Sequence, residues 1–197
     1  MDMELKPLFA TPVVKLHLPE TEMLKQKFAP EMLRRYRAGQ YNPPAIWETD
    51  RIHTSFGAAS KDQVISPLPA AYEKLLGQFV RSERYGLALW HNVYWDGQEY
   101  QEKHHHIPGH ISFIHFLLFD NAEHKAPIFY DPARTTKAYC RHPALPPEFS
   151  SEAAKIDVAE GDVLVFPSWL EHHVPPGNYT KPRITVSMNI TLPTPGF

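Results

Sequence analysis

Residues 161–189 read GDVLVFPSWLEHHVPPGNYTKPRITVSMN, and this stretch decides the fold. Val163, Leu164, Val165 and Phe166 form a short apolar run, opened by Gly161 and Asp162 and closed by Pro167, as a buried strand requires. Ile184, Val186, Met188 and Ile190 alternate with Thr185, Ser187, Asn189 and Thr191, a period of two. The stretch reads as a hairpin-like pair of strands with a histidine-bearing bend between them. Alternation sends Arg183, Thr185 and Ser187 to one face and the aliphatic residues to the other. His172, Arg183 and Thr185 then come within reach of a common cavity between two sheets.

The rest of the chain extends the β pattern. Strands are expected at 87–95, 111–119, 128–130 and 155–158, ahead of the two just described. Strands at this spacing, separated by Pro, Gly and Asp turns, predict an antiparallel sandwich or jelly roll. Residues 135–151 form a proline-containing insertion, expected as a flap over one mouth of the roll. The N-terminal part reads differently. A strand is expected within residues 8–16, followed by a helix capped by Thr21 with Met23, Leu24 and Phe28 on one side. Pro30 is expected to interrupt it, leaving a second short helix over 31–38 that ends at Gly39. Residues 41–61 predict an extended loop with room for one short strand. Residues 69–84 predict a helix, because Ala71, Tyr72, Leu75, Leu76, Phe79 and Val80 recur at helical spacing. The expectation is one domain over 1–197: a helical and loop part over about 1–85 and a jelly-roll core over about 86–192.

Composition narrows the function. A chain of 197 residues can bury a substantial core. A formal charge of −2 gives no electrostatic case for a nucleic-acid or membrane surface, although aromatic stacking on single strands stays open. Cys140 is the lone cysteine, so there is neither a disulfide framework nor a thiolate-rich zinc site. With no basic-then-apolar leader and no apolar run near the ~20 residues that span a bilayer, the expected location is the cytoplasm. The unusual counts are 20 Pro and 12 His, and so much proline favours short strands and turns over long helices.

His104, His105 and His106 lie between two expected strands. In an extended segment His104 and His106 share a face and His105 takes the other. Two imidazoles on one face, joined by His172 from a distant strand, suit a divalent transition metal, whereas an isolated run would be an exposed loop. His173 should turn away from such a site. A carboxylate, Asp131 or Glu102, is an alternative to His106 in completing the shell. The guanidinium of Arg183 can grip a carboxylate in a two-point fork, and the Thr185 hydroxyl adds a third bond. A Gly-rich phosphate loop, a Gly-x-Ser-x-Gly elbow and a His-Glu-x-x-His helix are all missing from the sequence.

Together, His104-x-His106-x-Pro108, the strand from Phe113 to Leu118, Tyr130-Asp131-Pro132, Phe166-Pro167-Ser168-Trp169-Leu170-Glu171-His172 and Arg183-Ile184-Thr185 resemble one family. They are similar to the small bacterial and phage 2-oxoglutarate/iron(II) oxygenases. The start, Leu8-Phe9-Ala10-Thr11-Pro12-Val13, and Trp90-His91-Asn92 carry the likeness across nearly the whole chain. The resemblance implies a double-stranded β-helix, that is, a cupin-like jelly roll with flanking N-terminal helices. It further implies Fe(II), 2-oxoglutarate as cosubstrate, O₂ and hydroxylation of a substrate C–H bond. His172 would bind iron with His104 and His106, Arg183 and Thr185 would hold the distal carboxylate of 2-oxoglutarate, and Asn92 would reach the cosubstrate from a neighbouring strand. The sequence departs from the pattern twice. His106 stands where the superfamily has Asp or Glu. His115 stands where an aromatic residue is commoner, and it would either line the cosubstrate pocket or sit in the core. Two other classes compete: a cupin-like metal- or ligand-binding protein without oxidase activity, and a three-histidine dioxygenase that does not use 2-oxoglutarate.

Overall fold

A computed structural model describes residues 10–40, 47, 50–140, 142–144, 146 and 151–193, and among these described residues are ten strands and three α-helices. The alternation around Arg183 holds. Strand β10 (Arg183–Thr191) sends Ile184, Val186, Met188 and Ile190 into an apolar core, and Arg183, Thr185 and Ser187 to the opposite face. The hairpin reading does not hold. β8 (Asp162–Pro167) and β10 both pair with β5 (Ile111–Leu118), which runs between them, and β9 (His172–Val174) belongs to a second sheet. The linker from 175 to 182, with Pro175, Pro176 and Pro182, is long enough for the chain to leave one sheet and return to the other side of β5.

The larger sheet has six strands in the order β1-β8-β5-β10-β3-β2, where β1 is Val14–His17, β2 is His53–Thr54 and β3 is Gly86–Tyr94. The smaller has four, in the order β4-β9-β6-β7, where β4 is Gln101–His104, β6 is Ile128–Tyr130 and β7 is Ala153–Lys155. Every pairing is antiparallel. Ile114, Phe116, Phe129, Leu164, Phe166 and Leu170 form an apolar cluster on the inner side of the large sheet. On its outer side lie helix α1 (Thr21–Arg37) and helix α2 (Ala70–Phe79), packed through Leu24, Phe28, Met32, Leu75 and Leu76 against Phe113, Val163, Val186 and Met188. This is the expected mainly-β jelly roll with N-terminal helices on one face.

Several local expectations are corrected. Pro30 does not end a helix but stands inside α1. The ring removes one backbone bond, and the burial of Leu24, Phe28, Ala29 and Met32 around it carries the helix through. Thr21 is the first helical residue rather than the cap, and its hydroxyl donates to the Leu18 carbonyl at 2.6 Å. Helix α2 stops at Phe79, because Val80 is already extended. The strand expected at 155–158 lies at Ala153–Lys155, and β4 was not expected at all. Part of the expected flap is helix α3 (Arg134–Cys140); residues 141, 145 and 147–150, like residues 8 and 9, lie outside the described residues. Among the described residues, no helix is long and apolar enough to cross a membrane.

Candidate metal and cosubstrate site

Three imidazoles meet between the sheets. The ligand nitrogens of His104, His106 and His172 lie within 4.8 Å of one another, and no other group of three such ligand residues converges among the described residues. His104 ends β4 and His172 opens β9, directly paired across the small sheet. A bulge between Gln101 and His104 puts both side chains on the inner side, three residues apart, where strict alternation would have separated them. His106 leaves the strand, and its backbone N–H donates to the Ser168 carbonyl at 2.7 Å. That tie between the two ligand-bearing loops closes over Gly109, where a Cβ would stand 2.8 Å from the His106 carbonyl and 2.9 Å from the Ser168 hydroxyl.

The rings are held for binding. His104 Nδ1–H donates to the Glu102 carbonyl at 2.6 Å, and His172 Nδ1–H donates to the Leu170 carbonyl at 3.0 Å. With Nδ1 carrying the proton, Nε2 presents its lone pair, the tautomer a metal needs. Burial lowers the pKa of all three rings: it takes His106 to about 3, and the neighbouring histidines push it the same way. His172 is held well below its ordinary value by the same two causes in the same order. All three are therefore unprotonated at neutral pH.

Deeper between the sheets lies a row of facing pairs. The β3/β10 register sets Tyr94 against Arg183, Asn92 against Thr185 and Trp90 against Ser187, and all six side chains line one narrow cavity with the triad. Arg183 is 1% exposed, with its guanidinium 4.2 Å from the centre of the Tyr94 ring and about 6 Å from those of Phe116 and Phe119. Among the described residues, its Nε and Nη1 have no hydrogen-bond partner and no carboxylate pairs with it. A buried, always charged group in that state costs free energy that a carboxylate ligand would recover. The residues thus fit a metal with an anionic chelator.

The structure brings together His104, His106, His172, Arg183, Thr185 and Asn92. His115 it places elsewhere. His115 pairs with Val186 on β10 and faces the helices, where Thr21 Oγ1 meets its Nε2 at 2.9 Å and Tyr72 Oη meets its Nδ1 at 2.9 Å. It is the core histidine of the two readings, and the cosubstrate-pocket assignment is corrected. Neither carboxylate alternative converges with the rings. Asp131 is bound to Lys137 at 2.5 Å, and Glu102 meets His104 through its backbone carbonyl. His173 turns outward to the Tyr130 hydroxyl at 3.1 Å.

Tyr94 and Gln101 were missed. Tyr94 donates to Gln101 Oε1 at 2.6 Å, making a buried bridge beside Arg183. Continuing the alternation of β3 two residues past Asn92 would have found Tyr94. Gln101 depends on the bulge and leaves no such mark. The outer mouth, about 670 Å³, is lined by Trp47, Asp50, Phe56 and the 101–109 segment.

A sequence-family profile described as "Putative 2OG-Fe(II) oxygenase" matches residues 88–189, more than half of the chain. The chain belongs to the 2OG-Fe(II) oxygenase family. It is therefore a 2-oxoglutarate-dependent oxygenase, with Fe(II) as cofactor, 2-oxoglutarate as cosubstrate and O₂ as the oxidant. Solved structures agree on the fold. A Pseudomonas putida prolyl-4-hydroxylase superposes with a TM-score of 0.63 at 14% identity, over 92% of this chain and 94% of its own. A Trichoplax adhaerens prolyl hydroxylase, solved with a peptide fragment of the hypoxia inducible factor, gives 0.61 at 12% identity over 90% and 82%. AviO1 from Streptomyces viridochromogenes Tue57 gives 0.62 at 12% over 93% and 90%. No curated protein sequence matches the chain.

Proposed function

We propose that this oxygenase holds its iron with three histidines, His104, His106 and His172, and its cosubstrate with Arg183 and Thr185. The observation that carries the reading is the convergence of three imidazole nitrogens within 4.8 Å, two of the rings having their other nitrogen tied to a backbone carbonyl. Three neutral ligands leave the charge of a divalent metal uncompensated by protein, and a doubly charged oxo acid supplies the missing anion. Once bound, iron and 2-oxoglutarate supply the oxidising power, the oxo acid being decarboxylated to succinate and CO₂ as O₂ is reduced. The chain's own residues orient and enclose. Arg183 and the Thr185 hydroxyl fix the distal carboxylate, Tyr94 walls the guanidinium, and Gln101 holds Tyr94 in place. The space beside them is narrow, so entry of the dicarboxylate displaces side-chain rotamers. The mouth lined by Trp47 and Phe56 receives the substrate, whose C–H bond is hydroxylated. We take residues 1–197 as one domain.

The test is conversion of 2-oxoglutarate to succinate by the iron-loaded protein. Arg183→Ala should abolish it, and wild-type turnover by that variant would overturn the assignment. The non-oxidising cupin reading and the dioxygenase reading both expect no succinate from wild type.

A further inference from the structure

Besides Arg183, the cavity wall contains a second buried donor without a partner. Trp90 is 3% exposed, and its Nε1 has no acceptor among the described residues. Its ring meets Phe56 edge-on at 5.1 Å and lies 5.6 Å from the ring of His106. An indole N–H can only donate, and burying it unbonded is costly. The β3/β10 ladder says which end of the cavity it occupies. Arg183/Tyr94, Thr185/Asn92 and Ser187/Trp90 are successive inward rungs, so the backbones of Arg183 and Trp90 stand roughly 13 Å apart along the strand pair while both long side chains line the one cavity between them. The Trp90 end is the one beside His106.

Resting on the assignment of Arg183 to the distal carboxylate, we infer that the Trp90 indole N–H donates a hydrogen bond to the metal-proximal oxo-acid end of 2-oxoglutarate. The chemistry matches. At neutral pH the oxo acid has only acceptors, and Arg183 and Trp90 offer only donors at its two ends. Trp90 is thus a cosubstrate-binding residue that orients the reacting end, where Arg183 anchors the inert one.

Trp90→Phe keeps an aromatic ring and removes the N–H. In the full chain loaded anaerobically with Fe(II), 2-oxoglutarate is titrated and followed by the charge-transfer absorption of the iron–oxo-acid complex. The variant should bind the oxo acid about tenfold more weakly, as loss of a hydrogen bond to a charged group predicts. Its absorption maximum should shift, while iron stoichiometry and the ligand-free melting temperature are maintained. Unchanged affinity with an unchanged absorption maximum would overturn the inference while leaving Arg183 in its role. A drop in ligand-free melting with parallel loss of iron would make Trp90 a packing residue and equally overturn it. Failure of wild type to bind 2-oxoglutarate would instead defeat the Arg183 assignment, and this inference with it. A second measurement avoids the variant. With ¹⁵N-labelled tryptophan and diamagnetic Zn(II), one of the four indole N–H signals should move downfield when 2-oxoglutarate is added. No movement would overturn the proposal.

Discussion

Buried polar groups on the two faces of the large sheet can be held in opposite ways, as His115 and Arg183 show. On the helix face, His115 is 0% exposed and both ring nitrogens are engaged, one with Thr21 and one with Tyr72. On the inner face of the same sheet, Arg183, Asn92 and Trp90 are nearly as buried and carry polar atoms without a hydrogen-bond partner among the described residues. All four groups cost desolvation free energy, and of the four His115 recovers it at every ring nitrogen inside the chain. The contrast separates structure from site. A satisfied buried histidine clamps two helices to a sheet, whereas unsatisfied donors mark the place of a ligand.

Exchanging the two faces by mutation gives the largest expected effects. His172→Ala removes one imidazole of the triad and should weaken Fe(II) binding by more than about a hundredfold, measured by anaerobic equilibrium dialysis, since even indirect support of a ligand is worth 10–100-fold. His115→Ala should leave iron stoichiometry intact and lower unfolding stability by about 2–4 kcal/mol, because it opens a cavity and takes the imidazole partner from the Tyr72 hydroxyl, and one of two partners from that of Thr21. A folded His115→Ala protein unable to bind iron would erase the distinction between the faces.

A smaller effect comes from acid. Burial takes the pKa of His115 down to about 3, from an ordinary value of 6.5. Between those values the unfolded chain binds a proton that the folded chain refuses, so stability falls as pH falls. The contribution is complete above the unfolded value and is lost progressively from about pH 6.5 towards pH 3. Between pH 7 and pH 5 the loss from this residue is about 2 kcal/mol. Urea unfolding at the two pH values should therefore show wild type losing about that much more than His115→Gln. Equal losses would mean that His115 takes up its proton in the folded state, and that the helix face is less closed than its hydrogen bonds imply.

The comparison also shows what the sequence could tell. Regular strands were legible wherever one face was apolar, because a period of two has no other reading over residues 183–191. That is why the pattern puts Arg183 and Thr185 on one face of β10, whereas Asn92 entered only through the family resemblance. His115 was ambiguous for the same reason that its strand was clear. Residues 111–118 are apolar on both sides, so alternation puts His115 on a face without saying which face is the cavity. Pairing partners were not legible. The strand that separates β8 from β10 lies some fifty residues upstream of β8, and hydrophobic pattern carries no record of it. Irregularity was the other blind spot. The bulge in β4 brings Gln101 and His104 to one side, and Pro30 sits inside a helix that local propensity would end. In both places packing overrides the local rule.

The smallest expected effect tests the comparison at the scale of one residue. His105 and His173 each adjoin a proposed ligand, and local chain direction turns both away from it. His105 is exposed, and its Nδ1 accepts from the Ile107 N–H at 3.4 Å. His173 lies on the outer side of the small sheet against Tyr130, with a ring-centre separation of 5.5 Å. Neither nitrogen set joins the converging triad. His105→Ala and His173→Ala should thus bind Fe(II) within about twofold of wild type, the second losing one partly exposed hydrogen bond worth about 1 kcal/mol of stability. The informative case is the pair in one chain. If His105 and His173 are both outside the site, the double variant should still take up about one iron per chain. Should it lose the metal while His106→Ala keeps it, the ligand set runs through the odd-numbered histidines. The inward face of β9 would then be the one occupied by His173.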